Sequence, residues 1–229
     1  MHWVYYFGRV IIRIAAFPFA RWEVKGKENL PEKGPLLIVS NHLYLGDPPI
    51  LAASLRLKTV FMAKEEVFQD PWSRFWVENF GAFPVRRGGL DREAIRRAEG
   101  WLKDGTSVIM FPEGARSHRA GMTPALDGAA LIASRMDVPI LPVGIAGTEK
   151  LKKLRLRWPR PSITITIGPP FRLPPADGSL TKEARRRLTD EIMGHIAALL
   201  PPEYHGVYAA NKTADTTPDV DDEEKTAHH

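Results

Sequence analysis

The sequence predicts an α/β fold: a single layered domain with a largely parallel sheet flanked by helices, preceded by an N-terminal amphipathic helix. Two observations carry this. Short β-branched apolar runs alternate with longer helical patterns between residues 35 and 200. The 229 residues, 44% hydrophobic and without an internal repeat, suffice for one well-buried core and are few for two.

The elements follow in order. Residues 3–20, WVYYFGRVIIRIAAFPFA, place Val4, Phe7, Ile11 and Ile14 on one helical face and Arg9 and Arg13 on the other. Eighteen helical residues reach roughly 27 Å, close to a bilayer core. Two central arginines cost roughly 2.5–3.5 kcal/mol each on insertion, and Pro18 interrupts the last turn. A helix lying in the membrane interface satisfies both faces. Packing on the protein's own core and a single span are the alternatives. No basic region precedes the apolar run, which argues against a signal peptide. The stretch WEVKGKENLPEKG is rich in turn formers.

PLLIVS (35–40) then reads as a strand, and DPPILAASLR (47–56) as a helix with Asp47 at its start and prolines in its first turn. TVFMAK (59–64) is a strand and EEVFQDPWSRFWVENF (65–80) a helix. AFPVRR (82–87) is a strand, LDREAIRRAEGWLKDG (90–105) a helix ended by Gly105, and TSVIMFPE (106–113) a strand. TPALDGAALIASRM (123–136) is helical. VPILPVGIAG (138–147) and SITITIG (162–168) are strands, and TKEARRRLTDEIMGHIAALL (181–200) closes the fold. Residues 1–22 are thus assigned to a membrane-associated helix, 23–208 to the α/β domain and 209–229 to an acidic tail expected to be disordered.

Charge and composition narrow the chemistry. No cysteine is present, which excludes disulfides, zinc-thiolate sites, iron–sulfur clusters and a cysteine nucleophile. The formal charge is +5, but residues 211–229 hold two Lys and six Asp or Glu; the rest has 30 basic and 21 acidic residues, or +9. A basic body suits an anionic partner: a membrane, a phosphorylated substrate or a nucleic acid. No nucleic-acid recognition motif supports the last. GxSxG, GxxxxGK[ST], GxGxxG and HExxH are all absent.

Three segments stand at predicted strand ends, where ligands of such sheets bind: NHLYLGD (41–47), VRRGG (85–89) and FPEGARS (111–117). One shared cleft would explain all three. In the first, a carboxylate at a helix start can hold one ring nitrogen of His42 and leave the other free to take a proton. HxxxxD alone is weak, since seven His and twelve Asp give about 0.4 such spacings by chance. In FPEGARS, Gly114 permits close backbone approach and Arg116 offers a fork suited to phosphate; a solvated loop arginine is the plainer alternative. Phe68, Trp72, Phe75, Trp76 and Phe80 form a stripe that fits either core packing or an apolar ligand wall or membrane-facing surface.

Four blocks in order, NHxxxxD (Asn41, His42, Asp47), GAFPVRR (81–87), FPEGARS and VPILPV (138–143), carry a resemblance. From Val24 to Tyr208 the sequence resembles the glycerolipid acyltransferase superfamily, most closely the bacterial 1-acyl-sn-glycerol-3-phosphate acyltransferases. The resemblance implies transfer of a fatty acyl group from acyl-CoA or acyl carrier protein to the sn-2 hydroxyl of a lysophosphatidic acid, in phospholipid biosynthesis. It makes His42 the general base and Asp47 its orienting partner. It assigns Asn41, Lys64, Arg87, Glu113, Gly114 and Arg116 to substrate binding and 138–143 to support of the cleft. It implies no metal or prosthetic group, and a peripheral or monotopic place on the cytoplasmic face of the cell membrane. Ala115 stands where a hydroxyl residue is usual and Asp127 where a basic one is common; both bear on the acceptor. Another lysophospholipid or glycolipid acceptor, or a lipid clamp without turnover, are the competing readings.

Overall fold

The computed structural model describes residues 8, 20–86, 89–117, 121–153, 160–174 and 180–209. In chain order these form β1 (Arg21–Lys25), β2 (Leu37–Ser40), α1 (Asp47–Ser54), β3 (Thr59–Lys64), α2 (Pro71–Asn79) and β4 (Ala82–Val85). Then come α3 (Arg92–Lys103), β5 (Ser107–Met110), α4 (Gly128–Met136), β6 (Ile140–Ala146), β7 (Ser162–Ile167) and α5 (Lys182–Ala197).

The seven strands make one sheet in the order β1-β7-β6-β2-β5-β3-β4. The five strands from β6 to β4 in that order are mutually parallel. β7 runs antiparallel to β6, and β1 pairs parallel with β7, so two strands are reversed at one edge. This is the single, mostly parallel α/β domain that the alternation of patterns predicts. β2 and β5 lie side by side, and all four residues of each are buried, as befits parallel strands covered on both faces.

Two apolar layers cover the sheet. On one face, Ile95, Ala98 and Leu102 of α3, Ile132 of α4 and Ile192 of α5 pack with Leu37, Val39 and Val108. On the other, Ile50 and Leu51 of α1 and Val77 of α2 pack with Ile38, Ile109 and Val143. Helix starts are chemically marked: the side chains of Asp70, Asp91 and Thr181 accept N–H bonds from the first turns of α2, α3 and α5.

The structure corrects three expectations. Residues 21–25 are a strand, although their neighbourhood reads as turn-rich; Trp22 and Val24 pack inward and the strand is templated by β7, a pairing no local pattern announces. β1 also begins two residues inside the segment assigned to the N-terminal helix. The helix expected over 65–80 is two pieces, a 3-10 turn at Glu65–Phe68 and α2, because Pro71 starts a new helix with Asp70 as its cap. Of the N-terminal segment, Gly8 and residues 20–22 lie among the described residues. Gly8 is helical and buried against Phe80, whose ring would lie 2.5 Å from a Cβ at that position. The acidic tail lies outside them apart from Ala209. No described helix is long and apolar enough to cross a membrane.

Candidate active site

The site forms where β2 and β5 end next to each other. The chain leaves β2 through Asn41, fully buried, whose amide donates to the Ile145 carbonyl (2.8 Å) and accepts the Ile145 N–H (2.8 Å). This two-way clamp on β6 fixes the direction in which the next residue departs. That residue is His42, 7% exposed, with its ring stacked on Phe111 at 4.3 Å between centroids. The short loop then turns back (Asp47 N–H to Tyr44 carbonyl, 3.0 Å) into α1.

Asp47 is completely buried at the first position of α1. Its Oδ2 accepts the Leu43 N–H (2.6 Å) and the Tyr44 N–H (2.7 Å) and lies 2.9 Å from His42 Nδ1. A carboxylate offers only acceptors, so Nδ1 carries the hydrogen and Nε2 is left with a free lone pair.

β5 delivers the second half of the site. Phe111 to Gly114 form a turn closed by the Gly114 N–H to the Phe111 carbonyl (3.0 Å), with Gly114 at φ +66. Glu113, 6% exposed, reaches back to His42. Its Oε1 accepts the His42 N–H at 3.0 Å, while the Ser117 N–H donates to the His42 carbonyl at 2.8 Å.

A cavity of about 340 Å³ opens beside His42. Met62, Ile95, Met110 and Leu126 give it apolar walls, and Lys64 and Arg86 bring positive charge. Glu113 and Gly114 also border it; Asn41 and Asp47 stand behind His42 and do not. Lys64 pairs with Glu66 at 2.7 Å. Arg86 lies 3.5 Å from Glu65 and 3.4 Å from Glu93. The Arg86 N–H holds the Asp91 carboxyl below its ordinary value, against an opposing effect of partial burial. Arg116 is half-buried and is not among the described residues of the cavity wall. Arg87 lies outside the described residues. Residues 138–143 are core of β6 and its approach, not cavity wall.

Sequence reasoning placed VRRGG at the cleft but assigned Arg87 to substrate, and not Arg86, which stands on the wall. It also missed Met62 and Leu126, which carry no chemical signal in a linear reading. Among the described residues no group of three or more His, Asp or Glu is placed to hold a metal.

The profile of the family described as "Acyltransferase" matches residues 21–146, from β1 to the end of β6 and thus the whole of the site just described. The chain belongs to the acyltransferase family. Among relatives of this acyltransferase-family chain, the 1-acyl-sn-glycerol-3-phosphate acyltransferase of Bacillus subtilis is 30% identical over 150 residues, 65% of this chain and 73% of that protein. The enzyme of the same name from Streptococcus pneumoniae is 31% identical over 163 residues, 67% of this chain and 58% of that one. The chloroplastic 1-acyl-sn-glycerol-3-phosphate acyltransferase BAT2 of Brassica napus is 31% identical over 152 residues, 64% of this chain. The match spans 43% of BAT2, less than half its length. The crystal structure of the 1-acyl-sn-glycerophosphate acyltransferase PlsC from Thermotoga maritima superposes with a TM-score of 0.65 at 28% identity, covering 86% of this chain and 76% of that one.

Proposed function

We propose that this acyltransferase-family chain transfers a fatty acyl group from an acyl thioester to the sn-2 hydroxyl of 1-acyl-sn-glycerol-3-phosphate, giving phosphatidic acid. The observation that carries the reading is the His42–Asp47 pair, oriented by a buried carboxylate and facing a largely apolar cavity with basic side chains on its wall. His42 Nε2 takes the proton from the acceptor hydroxyl as that oxygen attacks the thioester carbonyl carbon. The carbon–sulfur bond breaks, the thiolate leaves, and the imidazolium returns the proton to it. The described wall residues include no Ser, Thr or Tyr and the chain has no cysteine, while Lys64, Asp91 and Glu113 are engaged in ion pairs or hydrogen bonds, which supports direct attack over an acyl-enzyme. The apolar walls suit an acyl chain, and the Lys64 and Arg86 charges suit the phosphate. No metal or prosthetic group enters this scheme.

The acceptor is an amphiphile, so the reaction is proposed to occur at the cytoplasmic face of an anionic membrane, with the protein peripheral or monotopic. Support comes from α2, in which Trp72, Phe75 and Trp76 are 71%, 51% and 41% exposed. Aromatic rings clustered on a helix with no buried residue suit the interface between lipid and water.

The test is an assay with labelled acyl-CoA and acyl carrier protein thioesters and a panel of lyso-acceptors. Phosphatidic acid formation by the wild type, lost in His42→Ala, is expected with one donor or both. Turnover of a neutral glycolipid in preference to lysophosphatidic acid would move the reading to another acceptor. Lipid binding without turnover by wild type would overturn it.

A further inference from the structure

The residue that the resemblance assigns to substrate, Glu113, is occupied elsewhere. Its Oε1 accepts the His42 main-chain N–H at 3.0 Å. Its Oε2 accepts the Thr123 N–H at 2.8 Å and the Thr123 hydroxyl at 2.8 Å. The Ser117 hydroxyl lies 2.8 Å from the same oxygen and 2.7 Å from the Gly121 carbonyl, and shares its one proton between them. Both oxygens are therefore engaged inside the protein: three donors converge on Oε2, and the His42 N–H takes one of the two lone pairs of Oε1. The carboxylate is also of the wrong sign to receive a phosphate.

We propose that Glu113 is a positioning residue for the His42 base: it acts through the His42 main chain and is not a ligand of the acceptor. The 113–117 turn holds both polar groups of the His42 peptide, its N–H by Glu113 and its carbonyl by the Ser117 N–H. Asp47 and Phe111 orient the ring. Glu113 places the Cα from which that ring hangs, and Ser117 and Thr123 hold Glu113 in turn. A base must stand within about 2.6–3.2 Å of the proton it takes, and a displacement of ~1 Å in such geometry can cost 10²-fold. The buried charge is satisfied entirely inside the protein, so its removal leaves several donors without an acceptor.

This proposal rests on the reading of His42 as general base, and the experiment separates the two. Steady-state kinetics with the acceptor and the donor varied in turn are measured for wild type, His42→Ala, Glu113→Gln, Thr123→Val and Ser117→Ala, each well below its unfolding temperature. Glutamine keeps the shape but turns an NH2 group toward donors whichever way its amide lies. The expected result for Glu113→Gln is a kcat lower by roughly 10–10²-fold with the acceptor KM within about twofold of wild type. Thr123→Val and Ser117→Ala, at positions off the cavity wall, should lower kcat by a few-fold with KM likewise unchanged. Glu113→Gln with normal kcat and a tenfold higher acceptor KM would overturn the proposal and make Glu113 a ligand. If Glu113→Gln does not fold, unchanged kcat in both supporting variants overturns it. Retained turnover in His42→Ala overturns the base itself, whatever Glu113 shows.

Discussion

His42 Nδ1 and Asp47 Oδ2 lie 2.9 Å apart, and the same aspartate oxygen accepts the main-chain N–H groups of Leu43 and Tyr44. One buried oxygen therefore organises both the ring and the loop that carries it. An amide whose oxygen takes the Oδ2 place can keep all three contacts, but it lacks the charge that stabilises a protonated ring and puts an NH2 group at the buried Oδ1 position, where no partner stands. The pair is a single unit, and the two substitutions below are expected to be far from additive.

On the proposed mechanism, His42→Ala removes the group that takes the acceptor proton. Turnover should fall on the order of 10²–10⁴-fold, the usual contribution of a general base. Asp47→Asn should also be severe, with the far-ultraviolet circular dichroism of a folded α/β protein retained. Near-normal turnover in a folded His42→Ala variant would rule out this base.

Lys64 and Arg86 stand on the cavity wall. Charge-assisted hydrogen bonds contribute about 1.5–3 kcal/mol, so Lys64→Met and Arg86→Leu should each raise the KM for a phosphorylated acceptor about tenfold or more and leave kcat nearly unchanged. A neutral monoacylglycerol acceptor should be insensitive to both. Equal effects on the two acceptors would mean that the cation shapes the site and does not bind phosphate.

The exposed rings of α2 predict membrane binding by this helix. Trp72→Ser with Trp76→Ser should leave the unfolding temperature nearly unchanged, because neither ring is buried. Burying a large apolar side chain is worth roughly 1.5–3 kcal/mol, so flotation with anionic vesicles should weaken at least tenfold. High salt should weaken binding further if basic residues add about 1 kcal/mol each at the lipid surface. Unaltered flotation of the double variant would place the contact elsewhere.

Gly114 adopts φ +66, and a Cβ there would lie 2.8 Å from Leu126 Cδ1. Gly114→Ala should destabilise the protein by about 1–2 kcal/mol from the left-handed backbone alone, lowering Tm by roughly 2–8 °C at this size. Adding Leu126→Ala should relieve the contact and leave the backbone part. Full recovery in the double variant would show that the conformation of the turn is not strained.

Tyr204 is 5% exposed, donates its hydroxyl to Glu149 (2.9 Å) and accepts the Gly147 N–H (3.2 Å). Burial first, and the Glu149 hydrogen bond second, push its pKa up from 10.0 to about 12. A raised pKa means that the folded state keeps the proton after the unfolded chain has released it. The contribution is intact below pH 10 and is lost as pH rises through about 12. Urea unfolding should show stability falling across that window with a slope of up to about 1.4 kcal/mol per pH unit. The slope should be shallower in Tyr204→Phe; identical slopes would assign the alkaline loss to other groups.

Much of the fold was legible because strand and helix patterns are local. LIVS and SVIM are short, largely apolar runs with β-branched residues, as befits strands buried on both faces. DREAIRRAEGWLK carries its own cap and its own apolar spacing. The break at Asp70-Pro71 was legible too, since Pro favours a first helical position, but the aromatic stripe running through it suggested one helix. That stripe is mixed in the fold: Phe68 and Phe80 pack against the core while Trp72, Phe75 and Trp76 stay exposed, a division that depends on which face meets the sheet.

By itself the sequence determined the elements and the His42–Asp47 pair, because each depends on residues within a few positions of one another, and the alternation of strands with helices implied the parallel body of the sheet. His42 and Asp47 are five apart, close enough for a single turn to join them. Tertiary structure alone decided the rest. β1 is a strand because β7, some 140 residues later, offers it hydrogen bonds. Asn41 is a clamp on Ile145, 104 residues away, and Glu113 meets His42 across 71. The resemblance assigned the same side chains to substrate, since a polar residue beside a proposed base has no visible partner until the chain folds. What separates a ligand from a support is whether its hydrogen bonds are already taken, and that is settled only when distant strands end side by side.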